Sequence, residues 1–286
     1  MFHSLLEFEK YCSQNIADAG MAQSKYLGTI VNKFPPEAIN MLAEYFLSMN
    51  DVKHVMNLHL KAQNYAKAGS IIAKRALALP REHERLTMLQ EASRIYGIGR
   101  DALFQKTCTD EYLELLLEQE RLRRAFGPDV TIKTSSVTET IYNVLCYAAV
   151  KIRDSRKLLS EAEKIAKKFK VPEKRLWHTK IRAFAATDQW TNLRALAESK
   201  TKPPIGFKFF ALAAIKRQQS PVEILRYIEK VTDSDERYDL FCEAKLWKQA
   251  VEEAKRMQDA NRIMHVMTVC GVPEIQRLCE TAVSMM

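Results

Sequence analysis

Apolar residues recur at α-helical spacing along almost the whole of this 286-residue chain. After Pro36, for example, Ile39, Leu42, Ala43 and Phe46 fall at positions i, i+3, i+4 and i+7, which places them on one helical face. Only 8 glycines and 9 prolines interrupt this pattern, and good helix formers fill the intervals between them. The chain is therefore predicted to be all-α.

A weak internal repeat indicates how the helices are arranged. Short polar turns followed by an aromatic residue occur before Tyr65, Trp190 and Trp247. The two tryptophans are 57 residues apart, which does not fit the 34-residue period of a tetratricopeptide array. We predict an α-solenoid of irregular stacked helical hairpins, an architecture that presents long surfaces to partners.

One stretch of the chain breaks the helical period. Residues 126–135 include a Gly-Pro pair and several β-branched residues. Their apolar residues follow neither helical nor strand spacing. This predicts three parts: an N-terminal part of the α-solenoid over 1–125, a connection over 126–135, and a C-terminal α-solenoid over 136–286 that carries the partner-binding helices.

Local capping signals support these helix boundaries. Ser136 and Glu139 have the spacing of a capping box, in which each residue satisfies an amide of the other. Ser220 and Glu223 repeat that spacing, and the intervening Pro221 suits the first helical position. Asp188 is placed to cap the next helix.

Motifs of catalysis and of metal binding are missing from the sequence. There is no Walker A loop, no H-E-x-x-H pair among the 6 histidines and no G-x-S-x-G elbow. The 6 cysteines are scattered without close pairs, which indicates reduced, buried thiols in a cytosolic protein. We therefore predict no enzymatic activity, no metal and no cofactor.

Positive charge is concentrated in one segment, from Lys151 to Arg182. It contains twelve Lys and Arg against four Asp and Glu, a balance of +8 out of the formal net charge of +9. Charge runs of this kind are usually solvated helical faces. The segment therefore needs a further feature before it indicates a binding surface.

That feature is the separation of two faces on the helix after Pro172. Arg175, His178 and Arg182 fall at i, i+3 and i+7 on one face, whereas Trp177 and the apolar residues project from another. Arginine beside aromatic side chains is typical of interface hot spots. We predict a partner-binding surface that comprises Lys174, Arg175, Trp177, His178 and Arg182. In this surface Trp177 either packs beneath the polar residues or inserts into the partner.

Three kinds of partner fit a basic solenoid surface. A protein with an acidic groove is the preferred one. Nucleic acid is less favoured because no nucleic-acid-binding fold signature is present. An anionic lipid surface could attract Lys164, Lys167, Lys168 and Lys170, but no strongly apolar opposite face is left free to insert.

Several motifs around the basic segment form a recognisable set. They are the segment 169–177 (F-K-V-P-E-K-R-L-W), Lys180-Ile181, Trp190, the triplet 198–200 and the segment 204–207 (P-I-G-F). This set resembles the C-terminal region of vacuolar protein sorting protein sixteen, a subunit of the HOPS and CORVET membrane-tethering complexes. The likeness is strongest over 135–232. The chain is similar either to a part of that subunit or to its shorter paralogue.

The resemblance implies an α-solenoid without enzymatic activity that binds a Sec1/Munc18-type protein and thereby supports SNARE-mediated fusion. The implied binding surface lies around 137–185, which contains the basic face of Arg175. Other tethering-complex subunits are further implied partners, with contact to late endosome and lysosome (vacuole) membranes only through the complex. The alternative hypothesis is a basic helical-repeat protein that binds nucleic acid or an anionic lipid surface.

Overall fold

The computed structural model describes residues 36–49, 51–132, 135–199 and 202–285, and it confirms the predicted all-α class. The described residues form fifteen α-helices and no β-strand. The helices are α1 (Pro36–Ser48), α2 (Val52–Lys61), α3 (Tyr65–Ala78), α4 (Glu82–Tyr96), α5 (Leu103–Phe126), α6 (Val137–Val150), α7 (Ser155–Lys168), α8 (Glu173–Ala186), α9 (Trp190–Ala197), α10 (Lys208–Lys216), α11 (Pro221–Ile228), α12 (Ser234–Glu243), α13 (Trp247–Arg256), α14 (Ala260–Val269) and α15 (Pro273–Ser284).

Many helices begin where the sequence supplies a side-chain cap. The Glu139 amide donates to the Ser136 hydroxyl at 3.3 Å, and the Ser136 amide donates to the Glu139 carboxylate at 2.8 Å. The predicted capping box at the start of α6 is therefore confirmed. Other side chains that accept a hydrogen bond from a first-turn amide are those of Asp51, Asn64, Ser220, Asp233 and Asp259.

The second predicted capping box is only half formed. The Ser220 hydroxyl accepts from the Glu223 amide at 3.4 Å, and Pro221 is the first residue of α11, as predicted. The Glu223 side chain does not return to the cap. Its carboxylate is buried and accepts hydrogen bonds from Arg194 and from the Tyr227 hydroxyl instead. Tertiary contacts have thus diverted a residue with a local capping signature.

The predicted cap at Asp188 is wrong. Gln189 is the residue that precedes α9, and no side chain caps that helix. Asp188 has a φ of 54°, in the left-handed region, and its carboxylate accepts from the Trp190 indole nitrogen at 3.3 Å. The residue belongs to the turn between α8 and α9.

The chain divides into two compact units whose boundary in sequence lies between Arg121 and Leu122, within α5. In the first unit α3 packs closely against α4. A Cβ at Gly69 would lie 2.5 Å from the Tyr96 ring, so the absence of a side chain permits this approach. The small core around it comprises Ala68, Ile72, Ala92, Ile95, Tyr96 and Ala102.

The second unit has one continuous core that extends from Leu122 to Ala282. Each helix packs mainly on helices close to it in sequence, as in the pairs α6–α7, α12–α13 and α14–α15. The helix pairs α6–α8 and α8–α10 add contacts between successive hairpins. The solenoid-like stacking predicted from the repeat is present in this unit.

Within the described part of the chain, six inter-helix turns share one backbone geometry. In each, a residue other than glycine has a φ between 50° and 56°, and the next amide donates to the carbonyl five residues earlier, as in a Schellman motif. The bond from the Gln189 amide to the Phe184 carbonyl is 2.9 Å, for example. This geometry underlies the weak repeat in the sequence. The six residues are Gln63, Lys170, Asp188, Gln218, Lys245 and Gln258.

The segment after α5 explains the loss of helical period near 126–135. Gly127 has a φ of 116° and a ψ of 163°, a region essentially restricted to glycine, and a short 3₁₀ turn follows over Pro128–Val130. Residues 133–134 of the predicted connection and residues 1–35 of the predicted N-terminal part lie outside the described residues. The three-part division stays a prediction.

Within the described residues, no helix is long and apolar enough to span a bilayer.

Candidate functional site

Helix α8 carries all five residues of the predicted binding surface. Its start follows Pro172, which is the N-cap residue and lacks an amide that would otherwise need a partner. The side chains of Trp177, Ile181 and Phe184 are buried in the core of the second unit. Lys174, Arg175, His178 and Arg182 are all exposed, so the helix presents the two separate faces that its spacing predicts.

Trp177 packs beneath the polar face. Its residue is only 7% exposed, and its ring meets the edge of Phe210 with centroids 6.3 Å apart. Phe210 on α10 is itself fully buried. Of the two arrangements that the sequence left open, the structure therefore has Trp177 as a support that fixes α8 against α10.

A groove of about 470 Å³ opens beside the exposed face of α8. The structure brings together three of the five predicted residues here, Arg175, His178 and Arg182, whereas Lys174 does not line the groove. Helices α6 and α10 supply the rest of the wall. The full lining is Thr138, Arg175, His178, Thr179, Ile181, Arg182, Phe209 and Ala213.

His178 and Phe209 form the aromatic part of the groove. Their rings meet edge to face with centroids 4.2 Å apart, and this relative orientation is one that aromatic pairs prefer. Phe209 keeps 37% of its surface exposed, so it offers an apolar contact beside the imidazole. A ligand in this groove would meet an aromatic face and cationic groups together.

Arg182 is held in place by α6. Its guanidinium carbon lies 4.5 Å above the Tyr142 ring centroid, a cation–π contact. Near it, hydrogen bonds from the Ser136 amide and hydroxyl hold the pKa of Glu139 below its usual range, and the charge of Arg182 lowers it further. The Glu139 carboxylate is thus charged and offsets part of the Arg182 charge.

Arg175 is a groove cation without an ion-pair partner among the described residues, and Arg182 likewise forms no ion pair. Among the described residues, no Asp or Glu side chain lies within ion-pair distance of Arg175, and the same holds for Lys174. Other cations of the basic segment are paired: Lys157 with Asp154 and Lys180 with Glu163. An unpaired arginine beside exposed aromatic surface is free to bind an external anion, and its planar guanidinium suits a carboxylate.

Two side chains near Arg182 have raised pKa values. Burial raises the pKa of the Cys146 thiol, and burial likewise raises the pKa of Tyr142. A nucleophilic cysteine would need a lowered pKa. Among the residues that the structure describes, no cluster of three metal-ligating side chains occurs.

The expected burial of the cysteines is only partly correct. Cys270 and Cys279 are buried, whereas Cys146 and Cys242 are half-buried and Cys108 is exposed. Cys12 lies outside the described residues. Helical spacing alone did not show that Cys108 faces solvent on α5.

The sequence reasoning did not identify Phe209, Tyr142 and Thr138 as part of the site. A signal existed for Phe209, because adjacent residues of a helix point about 100° apart, so the two aromatic side chains project in different directions. Phe210 takes the core position and leaves Phe209 outside. No comparable signal marks Tyr142, because its role depends on the crossing of α6 and α8.

One protein family matches most of the chain. Residues 18–285 match the family described as Vps16, C-terminal region. The vacuolar protein sorting-associated protein 16 homolog of Drosophila melanogaster is 29% identical over 171 residues, which cover 60% of this chain and 19% of the fly protein.

Two further relatives match longer parts of the chain. The homolog of the same name from Dictyostelium discoideum is 24% identical over 85% of this chain and 28% of its own length. Protein VACUOLELESS1 of Arabidopsis thaliana is 24% identical over 78% of this chain and 24% of its own length. The chain thus spans between a fifth and just over a quarter of the length of these curated relatives.

Proposed function

Because the chain belongs to the Vps16 C-terminal region family, we propose that it is a non-enzymatic scaffold that binds a Sec1/Munc18-type protein. The binding would take place within an endosome–lysosome (vacuole) membrane-tethering complex and would support vesicle trafficking and SNARE-mediated fusion. The names of the relatives support a role in vacuolar protein sorting. Contact with the membrane would be peripheral and through the complex.

The observation that supports this proposal is the groove on α8. Arg175, His178 and Arg182 line it together with the exposed Phe209. A cationic and aromatic groove on a rigid helix fits an acidic segment of a folded protein that also carries an apolar side chain.

Each predicted residue has a distinct role in this proposal. Arg175 binds a partner carboxylate directly, since it has no carboxylate partner among the described residues. His178 and Arg182 extend the contact along the groove. Lys174, exposed in the first turn of α8, adds long-range attraction. Trp177 keeps the helix in position from within the core.

The proposal is tested by mixing the purified chain with a Sec1/Munc18-type vacuolar protein sorting subunit and measuring complex formation by gel filtration and calorimetry. Arg175→Glu reverses the charge in the groove and is expected to lower affinity at least 100-fold, in the range found for a close interfacial charge pair. Arg277→Glu is the matched control, because Arg277 is also exposed and lies on α15, outside the groove lining.

A one-to-one complex that Arg175→Glu abolishes and Arg277→Glu preserves would support both the partner and the site. If the complex forms equally well with Arg175→Glu, the partner is supported and the groove is not its binding site. If no complex forms at low salt, the Sec1/Munc18 proposal fails. Retention of nucleic acid in that case would support the alternative function.

A further inference from the structure

The corner between α6 and α7, residues 150–157, exposes two aliphatic side chains. Ile152 is 82% exposed, the highest value of any large hydrophobic residue among those the structure describes. Val150, at the end of α6, is 71% exposed. Neither residue contributes to the core or to the groove on α8. We define residues 150–157 as the α6–α7 corner.

Cations surround these two aliphatic residues. Lys151, Arg153, Arg156 and Lys157 are all exposed, and Asp154 is the one acidic residue of the corner. Asp154 pairs with Lys157 at 3.4 Å, a solvent-exposed contact that binds weakly. Among the described residues, no carboxylate lies within ion-pair distance of Lys151, Arg153 or Arg156.

The fold itself does not account for this charge. Arg156 and Lys157 lie in the first turn of α7, which contains no acidic residue. The amino-terminal end of a helix carries partial positive charge, so cations there are unfavourable for helix stability. Lys151 alone has a favourable position, as the C-cap residue of α6. Arg153 and Arg156 therefore remain available to an external anion.

We propose that the α6–α7 corner is a contact site for an anionic lipid bilayer. Ile152 and Val150 would enter the boundary between headgroups and acyl chains, while the cations would lie among anionic headgroups. Sequence spacing indicated no apolar side chain free to insert beside the lysines of α7, and the structure exposes two in the corner that precedes that helix.

The chemistry of the corner favours a bilayer over other polyanions. Single-stranded nucleic acids bind to aromatic side chains on which bases stack, and residues 150–157 contain no aromatic residue. Two isolated aliphatic side chains give too small an apolar patch for a stable protein interface. At a membrane surface the anionic headgroups lie outside the apolar acyl chains, so aliphatic side chains flanked by cations can contact both layers.

This inference does not depend on binding of a Sec1/Munc18-type protein, and it adds a direct contact to the membrane contact proposed above to occur through the complex. The residues of the corner are different from those of the groove, so a variant of one surface leaves the other intact. Binding is expected to be weak, reversible and sensitive to salt, because two aliphatic side chains and a few cations provide a limited anchor.

The test is flotation of the full chain with phosphatidylcholine vesicles, with and without phosphatidylserine. The chain is expected to float only with phosphatidylserine. Ile152→Ser should reduce the bound fraction about tenfold, because the aliphatic insertion is lost. The double variant Arg153→Ser/Arg156→Ser should reduce it about 25-fold, from about fivefold for each cation.

Two control variants make the test specific. Val222→Ser removes an aliphatic side chain that is also 71% exposed but lies on α11, and Arg175→Glu alters the groove. Both are expected to leave flotation unchanged. Circular dichroism of every variant establishes that the fold is retained.

Several outcomes would overturn the inference. Equal flotation with both vesicle types would exclude recognition of anionic lipid. Normal flotation of Ile152→Ser, or an equal loss with Val222→Ser, would show that the corner does not insert. If Arg175→Glu abolishes flotation, the groove rather than the corner binds the lipid. If the chain binds an oligonucleotide, and this binding requires Arg153 but not Ile152, the cations of the corner bind nucleic acid and not lipid.

Discussion

The buried carboxylate of Glu223 provides the most direct test of the packing in the second unit. Glu223 is 5% exposed, and the Tyr227 hydroxyl donates to it at 2.7 Å. The Arg194 Nε donates to both of its oxygens, at 3.1 and 3.0 Å. Burial and the hydrogen bond to Glu223 raise the pKa of Tyr227, so the phenol stays protonated as the donor.

Glu223→Ala is expected to lower the free energy of unfolding by about 3 kcal/mol. Tyr227 is fully buried, and its orphaned hydroxyl costs about 2 kcal/mol. The lost methylene and the space it leaves add about 1 kcal/mol. Arg194 contributes no further cost, because its side chain is 43% exposed and regains water.

A double-mutant cycle isolates the hydroxyl. Tyr227→Phe alone should cost about 1 kcal/mol, because one hydrogen bond to the carboxylate is lost. The double variant should cost about 2 kcal/mol instead of the additive sum of about 4 kcal/mol, since no hydroxyl is then left unpaired. The coupling energy of about 2 kcal/mol is the quantity to be measured.

The assay is urea unfolding followed by tryptophan fluorescence. All 3 tryptophans, at 177, 190 and 247, lie in the second unit, so the signal reports the unit that contains Glu223. Additivity of the two substitutions within about 0.5 kcal/mol would refute the view that the Tyr227 hydroxyl depends on Glu223.

Three further predictions follow from the core and from its titratable groups. Trp177→Ala should lower the free energy of unfolding by about 3–5 kcal/mol in the same urea assay, and an unchanged stability would show that the ring is not a core residue. Gly69→Ala should lower the melting temperature, because overpacking against Tyr96 costs about 1–3 kcal/mol and outweighs the better helix propensity of alanine; a higher melting temperature would contradict the close approach. Burial, with a smaller effect from Lys67, lowers the pKa of His59, so the unfolded state binds the proton more readily and stability should fall as the pH drops below about 6.5. The His59→Leu variant should therefore lose less stability than the unchanged chain between pH 7.5 and pH 5.5, as measured by thermal melts. An equal loss of stability in both would exclude His59 as the cause.

The sequence predicted those features that depend on neighbours along the chain. The cap at Ser136 and the start of α11 at Pro221 arise from bonds within one helical turn, so residue spacing is sufficient. The two faces of α8 follow in the same way from helical geometry, which places Arg175 outside and Trp177 inside.

Features that depend on distant residues could not be predicted in this way. Glu223 has the spacing of a capping residue, but Arg194 lies 29 residues earlier and competes for its carboxylate. The contact between His178 and Phe209 needs α8 to cross α10, and helical period within one helix does not contain that information. The exposure of Ile152 likewise depends on the conformation of a corner.

The six turns with a left-handed residue have a consequence for how the chain folds. Each joins two helices through a few residues, so closure of a hairpin orders little chain and its entropic cost is small. Contacts of low sequence separation favour rapid folding. In such an array several hairpins can serve as the nucleus, and structure then extends to adjacent hairpins in either direction. Deletion of one terminal hairpin should therefore leave the folding rate of the rest of the second unit almost unchanged.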